Sequence, residues 1–338
     1  MSNLNFNKKT FIIAEIGGTH EGNFEYAKKL LLSAGKSGVD AVKFQMYTAD
    51  KLVSKVEGAE RNKHFKKFQL TDNQWLKLIE LAKKNKILFM ASVWDIDIIN
   101  KFDRYLEIYK IGSGDLTAYP ILEVVAKKNK PIILSTAMAT LKEIKETVNF
   151  LKKINPNLIK ERKLALLHCV AMYGEPKDEY TNLLSIKKLQ NEFPNLPVGY
   201  SDHTKGIYAA QLAIAMGAKI IEKHFTDDKT KEFRDHHISA DLQEMKELVK
   251  KARQTEILLG EYKKQPILPI EDKQRIKEFR KAVYFKKDMQ KASVIEKDDL
   301  IALRPNTGID ARDFYKILGK KLNVSKKKHQ RLNYKDFE

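Results

Sequence analysis

Cysteine is almost absent. Cys169 stands alone among 338 residues, so no internal disulfide can form; a disulfide-stapled scaffold is excluded and a reducing compartment is expected. Long hydrophobic runs are missing too. Nowhere do 18 apolar residues follow one another, and Met1 to Thr10 has no apolar signal core, so neither a membrane span nor a secretory leader is expected. Glycine (15) and proline (9) are too few for a collagen-like or low-complexity chain, and 43% apolar residues are too many for a disordered one. H-E-x-x-H, C-x-x-C, G-x-S-x-G and P-loop patterns do not occur. Acidic residues are the scarcer charge, 44 against 63 Lys and Arg, for a formal net charge of +19. Such an excess invites a nucleic-acid or membrane reading. Yet Lys28, Lys29, Lys36, Lys77, Lys83 and Lys84 lie along stretches of helical period, as on solvated helix faces, and a basic stripe interleaved with aromatics is missing. A cytoplasmic protein with no nucleic-acid or membrane partner is expected.

What is present is alternation. Short apolar runs rich in β-branched residues alternate with stretches of helical period. The runs are Phe11–Glu15, Val39–Gln45, Ile87–Ser92, Ile108–Ile111, Pro131–Ser135, Leu164–Cys169, Val198–Ser201 and Ala218–His224. Eight strands over about 250 residues predict a (β/α)8 TIM barrel over 1–262 rather than an open doubly wound sheet. The first turn, Gly17-Gly18-Thr19-His20-Glu21-Gly22, also fails the GxGxxG fingerprint of such a sheet. A linker is expected at 263–279, with Pro266 and Pro269. Short strands at Val283–Phe285, Val294–Ile295 and Ile301–Leu303 then predict a small, mostly β domain. From Glu271 onward 19 Lys or Arg face 11 Asp or Glu, so this segment either meets something anionic or is simply well solvated.

Residues capable of chemistry fall at the C-terminal ends of the predicted strands, the rim on which barrel sites are built. They are Glu15, Lys43 with Gln45, Ser92 with Asp95, Lys110 with Ser113, Ser135, His168, Ser201 with His203, and Glu222 with His224. A lone serine there is as readily a turn residue, but charges inside apolar strands are costly to bury unpaired. Lys43 and Lys110 therefore call for an anion. Two lysines with serine hydroxyls suit a phosphate ester that also carries a carboxylate; alternatively each pairs with a strand-end carboxylate such as Glu15 or Glu222. His203 and His224 fall on adjacent strand ends, where two imidazoles suit a divalent transition metal acting as Lewis acid on a carbonyl, with Asp202 and Glu222 as supporting partners. His20, His236 and His237 carry no spacing signal, and His64 and His329 read as surface residues.

These stretches, in this order, resemble the phosphoenolpyruvate-dependent sialic acid (nonulosonic acid) synthases. The likeness rests on Ile13–Gly17 with His20-Glu21-Gly22, Val42–Gln45, Tyr109–Ser113, Leu134–Thr136, Leu167–Cys169, Gly199–Thr204, Glu222–Phe225, and Arg304-Pro305 with Gly308-Ile309. The resemblance implies a barrel followed by an antifreeze-like (SAF) domain at 280–338, exchanged between the chains of a homodimer. It implies phosphoenolpyruvate held by Lys43, Lys110, Ser113, Ser135 and Ser201, and Mn2+, or another divalent transition metal, on His203 and His224. The sugar side would comprise Gln45, Tyr173, Asp235 and Arg304, with Glu15 handling protons or steadying a cation. The acceptor would be N-acetylmannosamine or a diacetamido relative, and the product a nine-carbon 2-keto sugar acid. Departures from the family pattern gather on that sugar side: Val170-Ala171 where relatives carry a polar residue, Phe233-Arg234 before Asp235 and His236, and Ser92–Asp95. A metal-dependent barrel aldolase or lyase acting on a keto sugar acid is the alternative, and a nucleic-acid-binding protein the last.

Overall fold

The short β-branched runs fold as strands whose side chains alternate between two apolar environments. A computed structural model of the chain describes residues 6, 9–172, 177–232, 235–260 and 270–337. Eight strands, β1 (Phe11–Gly17), β2 (Ala41–Met46), β3 (Leu88–Val93), β4 (Tyr109–Ile111), β5 (Ile132–Ser135), β6 (Leu164–Cys169), β7 (Val198–Asp202) and β8 (Ile220–His224), pair in sequence order into a closed barrel. Every pair is parallel, and β8 closes on β1. Along β1, Ile12, Ala14 and Ile16 join the large core beneath the helices, while Phe11 and Ile13 join a second cluster with Ala41, Met90, Ile108, Ile133 and Ile220 inside the cylinder.

Helices cover the outside. The period of Ala27, Leu30, Leu31 and Ala34 is that of a helix, Phe24–Gly35, which buries all four and is N-capped by Asn23. Thr71 with Gln74, Thr140 with Glu143, and Asp241 with Glu244 form capping boxes at the starts of helices 72–84, 141–154 and 242–259. No helix among the described residues is long and apolar enough to cross a membrane.

The chain divides into two units, Met1–Gly260 and Glu261–Glu338. In the second, β9 (Ala282–Phe285) and β10 (Leu300–Leu303) pair antiparallel, around a small core of Val283, Phe285, Ile295, Leu300, Ile309 and Leu332. The expected strand at Val294–Ile295 is only an isolated bridge from Val294 to Lys321. Part of the expected linker is a helix, Lys273–Phe279, started by Asp272 accepting from the Arg275 N–H; its residues 263–269 lie outside the described ones.

Between β7 and β8 the interior tightens at Gly199, where a Cβ would lie 2.4 Å from the Ile220 carbonyl oxygen. Gly199→Ala must therefore push two strands apart and is expected to destabilise the barrel by about 1–3 kcal/mol. An unchanged urea midpoint would show that the seam yields freely.

Candidate active site

On six of the strands, an interior apolar side chain is followed two residues later, on the same face, by a polar one. Ile13 is followed by Glu15, Ala41 by Lys43, Met90 by Ser92, Ile108 by Lys110, Ile133 by Ser135, and Ile220 by Glu222 and His224. The two-residue period thus stacks an apolar plug under a polar mouth. Glu15, Lys43, Ser92, Lys110, Ser135, Ser201, Glu222 and His224 are all buried.

Lys43 Nζ lies 2.8 Å from Glu15 and 3.6 Å from Glu222, and donates to Ser92 Oγ at 2.8 Å. Lys110 Nζ donates to Ser135 Oγ at 2.7 Å and to the Ile111 carbonyl at 3.1 Å, with Glu222 3.8 Å away. Ser201 donates to Glu222 at 2.9 Å and Gln45 to Glu15 at 3.3 Å. Ser113 accepts the Ala137 N–H at 3.0 Å, tying the β4 and β5 loops. The second alternative for the lysines is thus what the structure holds, since Lys43 and Lys110 meet the strand-end carboxylates Glu15 and Glu222, with the Ser92 and Ser135 hydroxyls in the same cluster. Glu222 and Ser92 are among the strand-end candidates of the sequence; which lysine each one meets depends on register across strands and is given by the structure.

Burial and the neighbouring Glu222 raise Glu15 to about 7, against the pull of Lys43. Burial would raise Glu222 as well, but Lys110 and Lys43 hold it down to about 2. Two carboxyls in one mouth are thereby split into one that exchanges a proton near neutrality and one that stays ionised. Gly17 gives them room. Its φ is +53°, and a Cβ there would come within 3.0 Å of Glu15 Oε1 and 3.3 Å of Gln45 Nε2.

The His203 and His224 rings lie 5.2 Å apart. His203 Nδ1 donates to the Val170 carbonyl at 2.9 Å, so Nε2 is the ring nitrogen not engaged by that bond. Burial and the proximity of His203 keep His224 well below the ordinary imidazole range, hence neutral, and its Nδ1 is buried with no hydrogen-bond partner. Among the described residues no group of three or more His, Cys, Asp and Glu forms a metal-holding set. An orphaned imidazole nitrogen beside a second, oriented imidazole still fits a divalent cation with open positions for substrate oxygen.

The other candidate residues have local partners of their own. His168 points outward, bonded to the Thr181 carbonyl at 2.9 Å and stacked on Tyr200, because it falls one residue out of phase with the interior face. Cys169, in phase, sits 3.7 Å from His203 Nδ1. Asp95 caps helix 96–102, His20 packs on Phe44 and Trp75, and His236 is buried against Glu21 and Thr226. Asp235 lies in the β8 loop, its carbonyl accepting from Ser239. Arg304, in the second unit, is exposed with its guanidinium over the Phe279 ring. Tyr173 and Phe233-Arg234 lie outside the described residues.

The proton on Glu15 has a consequence for stability. Between pH 4.5, its ordinary value, and about 7, the folded chain keeps a proton that the unfolded chain has released, so this contribution falls as pH rises through that window. Glu15→Gln should flatten that fall between pH 5 and 7 in urea unfolding. An equal fall in both proteins would mean that Glu15 titrates normally.

Comparison with known proteins agrees with this fold. The NeuB family matches residues 30–264 and the SAF domain residues 280–338. The N,N'-diacetyllegionaminic acid synthase of Legionella pneumophila is 39% identical, over 93% of this chain and 91% of that protein. Human N-acetylneuraminate-9-phosphate synthase is 32% identical, over 93% and 89%. The crystal structure of the sialic acid synthetase of Leptospira borgpetersenii, in complex with citrate, superposes with a TM-score of 0.71 at 34% identity, covering 78% of this chain and 89% of that one. The chain, with its barrel mouth of paired lysines and paired histidines, belongs to the NeuB family.

Proposed function

We propose that this chain condenses phosphoenolpyruvate with an open-chain N-acyl hexosamine to give a nine-carbon 2-keto sugar acid and phosphate. The observation that carries the reading is the meeting of two buried ammonium groups and two imidazoles at one barrel mouth. Lys43 and Lys110, with Ser92, Ser113, Ser135 and Ser201, supply point charges and hydroxyls for a phosphate and a carboxylate. Mn2+ held by His203 and His224 would polarise the sugar aldehyde.

In the reaction the methylene carbon of phosphoenolpyruvate bonds to the aldehyde carbon, leaving positive charge on the carbon that bears phosphate. Ionised Glu222 and Glu15 face that charge. Water adds there; one of its protons passes by way of Glu15 to the former aldehyde oxygen, and the other leaves with phosphate as the carbon–oxygen bond breaks. Glu15, poised near neutrality, suits that transfer. Gln45 orients the acceptor beside it. Relatives that act on legionaminic, pseudaminic and neuraminic precursors support this reaction class.

Lys110→Ala should weaken phosphoenolpyruvate binding about 10- to 100-fold, the worth of a charge-assisted hydrogen bond, whereas Lys84→Ala on a surface helix should not. Equal effects in calorimetry would make Lys110 merely structural. Phosphate release against N-acetylmannosamine, its 6-phosphate and diacetamido hexoses should single out one acceptor class and vanish in His203→Ala and His224→Ala. No release with any of them would favour a lyase.

The proposal extends to a cytoplasmic homodimer with exchanged small domains, in which Arg304 of one chain meets the sugar in the other's barrel; the family resemblance supports it. Mixing Arg304→Ala chains with Lys110→Ala chains should then restore about one site per hybrid dimer, read as phosphate release. No recovery would mean that the chains do not share sites.

A further inference from the structure

His203 and His224 each belong to an alternating motif whose other residues point away from the mouth. Tyr200, Asp202, Thr204 and Lys223 face outward, between strands and helices. There Asp202 and Lys223 form an ion pair of 3.1 Å with neither side chain exposed. Asp202 Oδ1 accepts the Thr204 N–H and the Thr204 hydroxyl, both at 2.8 Å, and the Tyr200 hydroxyl at 3.2 Å. A carboxylate that accepts the N–H two residues on closes an Asx turn, and the residue spanned by this one is His203. Lys223 Nζ donates to the Thr204 carbonyl, holding the far end of the same turn. The same lysine immediately precedes His224, and Asp202 is its register partner across β7 and β8.

A fully buried ion pair is a weak source of stability, because an apolar pair of similar volume often does as well. This pair joins one imidazole-bearing strand end to the other, and the proposed reaction does not use it. We infer that Asp202 and Lys223 are positioning residues, a clamp behind the barrel wall that fixes the His203 turn against β8 and so sets the separation at which the two imidazoles share one divalent cation. The inference rests on the metal reading above and adds to it the residues that make two ligands act as one site.

The test uses the full chain stripped of metal. Asp202→Asn with Lys223→Met leaves no unpaired buried charge and keeps an oxygen for the Thr204 N–H. Thr204→Val, a milder change, removes one donor to Asp202 and guards against failure of the double variant to fold. Free Mn2+ is counted by its electron paramagnetic resonance, and phosphoenolpyruvate binding without metal by calorimetry. The double variant is expected to melt close to the parent and bind phosphoenolpyruvate as the parent does, while losing Mn2+ affinity about 10- to 100-fold, the usual effect of removing support behind a metal ligand. Thr204→Val should show a smaller loss of the same selective kind. Parental Mn2+ affinity in whichever variant folds would overturn the inference, as would parallel loss of Mn2+ and phosphoenolpyruvate, which would mean general loosening. A parent that binds no Mn2+ would overturn the metal reading itself and the clamp with it.

Discussion

Four side-chain charges buried in one barrel mouth are tolerable only because they neutralise one another. Glu15 and Lys43 are 2.8 Å apart, and Glu222 lies 3.6 Å from Lys43 and 3.8 Å from Lys110. Removing any one leaves an uncompensated charge in an environment where that costs several kcal/mol. The mouth is therefore fixed as a set, and the rest of the barrel reads as its support. The apolar layer beneath excludes water from below, the capped helices hold the strands, and Gly17 keeps the two acidic and amide side chains of β1 and β2 from being crowded.

Much of this architecture was legible in the sequence for a physical reason. Strands buried on both faces read as continuous apolar runs, and a lysine or glutamate inside such a run stands out because water cannot solvate it. All eight runs are strands, with ends shifted by a residue or two where loops take over. His168 misled because a strand has a period of two: it follows Leu167 and precedes Cys169, both in phase with the interior, so it must face out. Glu222 was undervalued for the complementary reason. Its partners lie on three other strands, and no spacing along the chain records which strands a closed cylinder will bring together. The helix at Lys273–Phe279 was hidden inside a proline-bearing stretch, where the Asp272 cap is a local signal too slight to outweigh composition.

The charge balance also says what kind of ligand the mouth awaits. Two ammonium groups against one firmly ionised carboxyl and one that protonates near neutrality leave the set close to neutral, and slightly positive when Glu15 holds its proton. A strongly anionic ligand can enter only by taking hydrogen bonds now made to Ser92, Ser135 and the carboxylates, or by arriving with cationic help. On the metal reading proposed above, the two imidazoles at the rim would supply that help, since the buried His224 Nδ1 has no hydrogen-bond partner in the fold and is costly unless something engages it.

A strand has two faces, and here each serves the same end. The residues that face in form the polar mouth, and those one step out of phase, Asp202 and Lys223, form the ion pair that ties β7 to β8. Single-residue register errors would exchange the two sets, placing aspartate and lysine in the mouth and burying both imidazoles behind the wall. The buried pair thus penalises the wrong register as well as bracing the right one, because its charges are satisfied only when they face each other across the outer seam. A site assembled from short strands can hold its geometry when the alternation that points residues inward also supplies the lock outside.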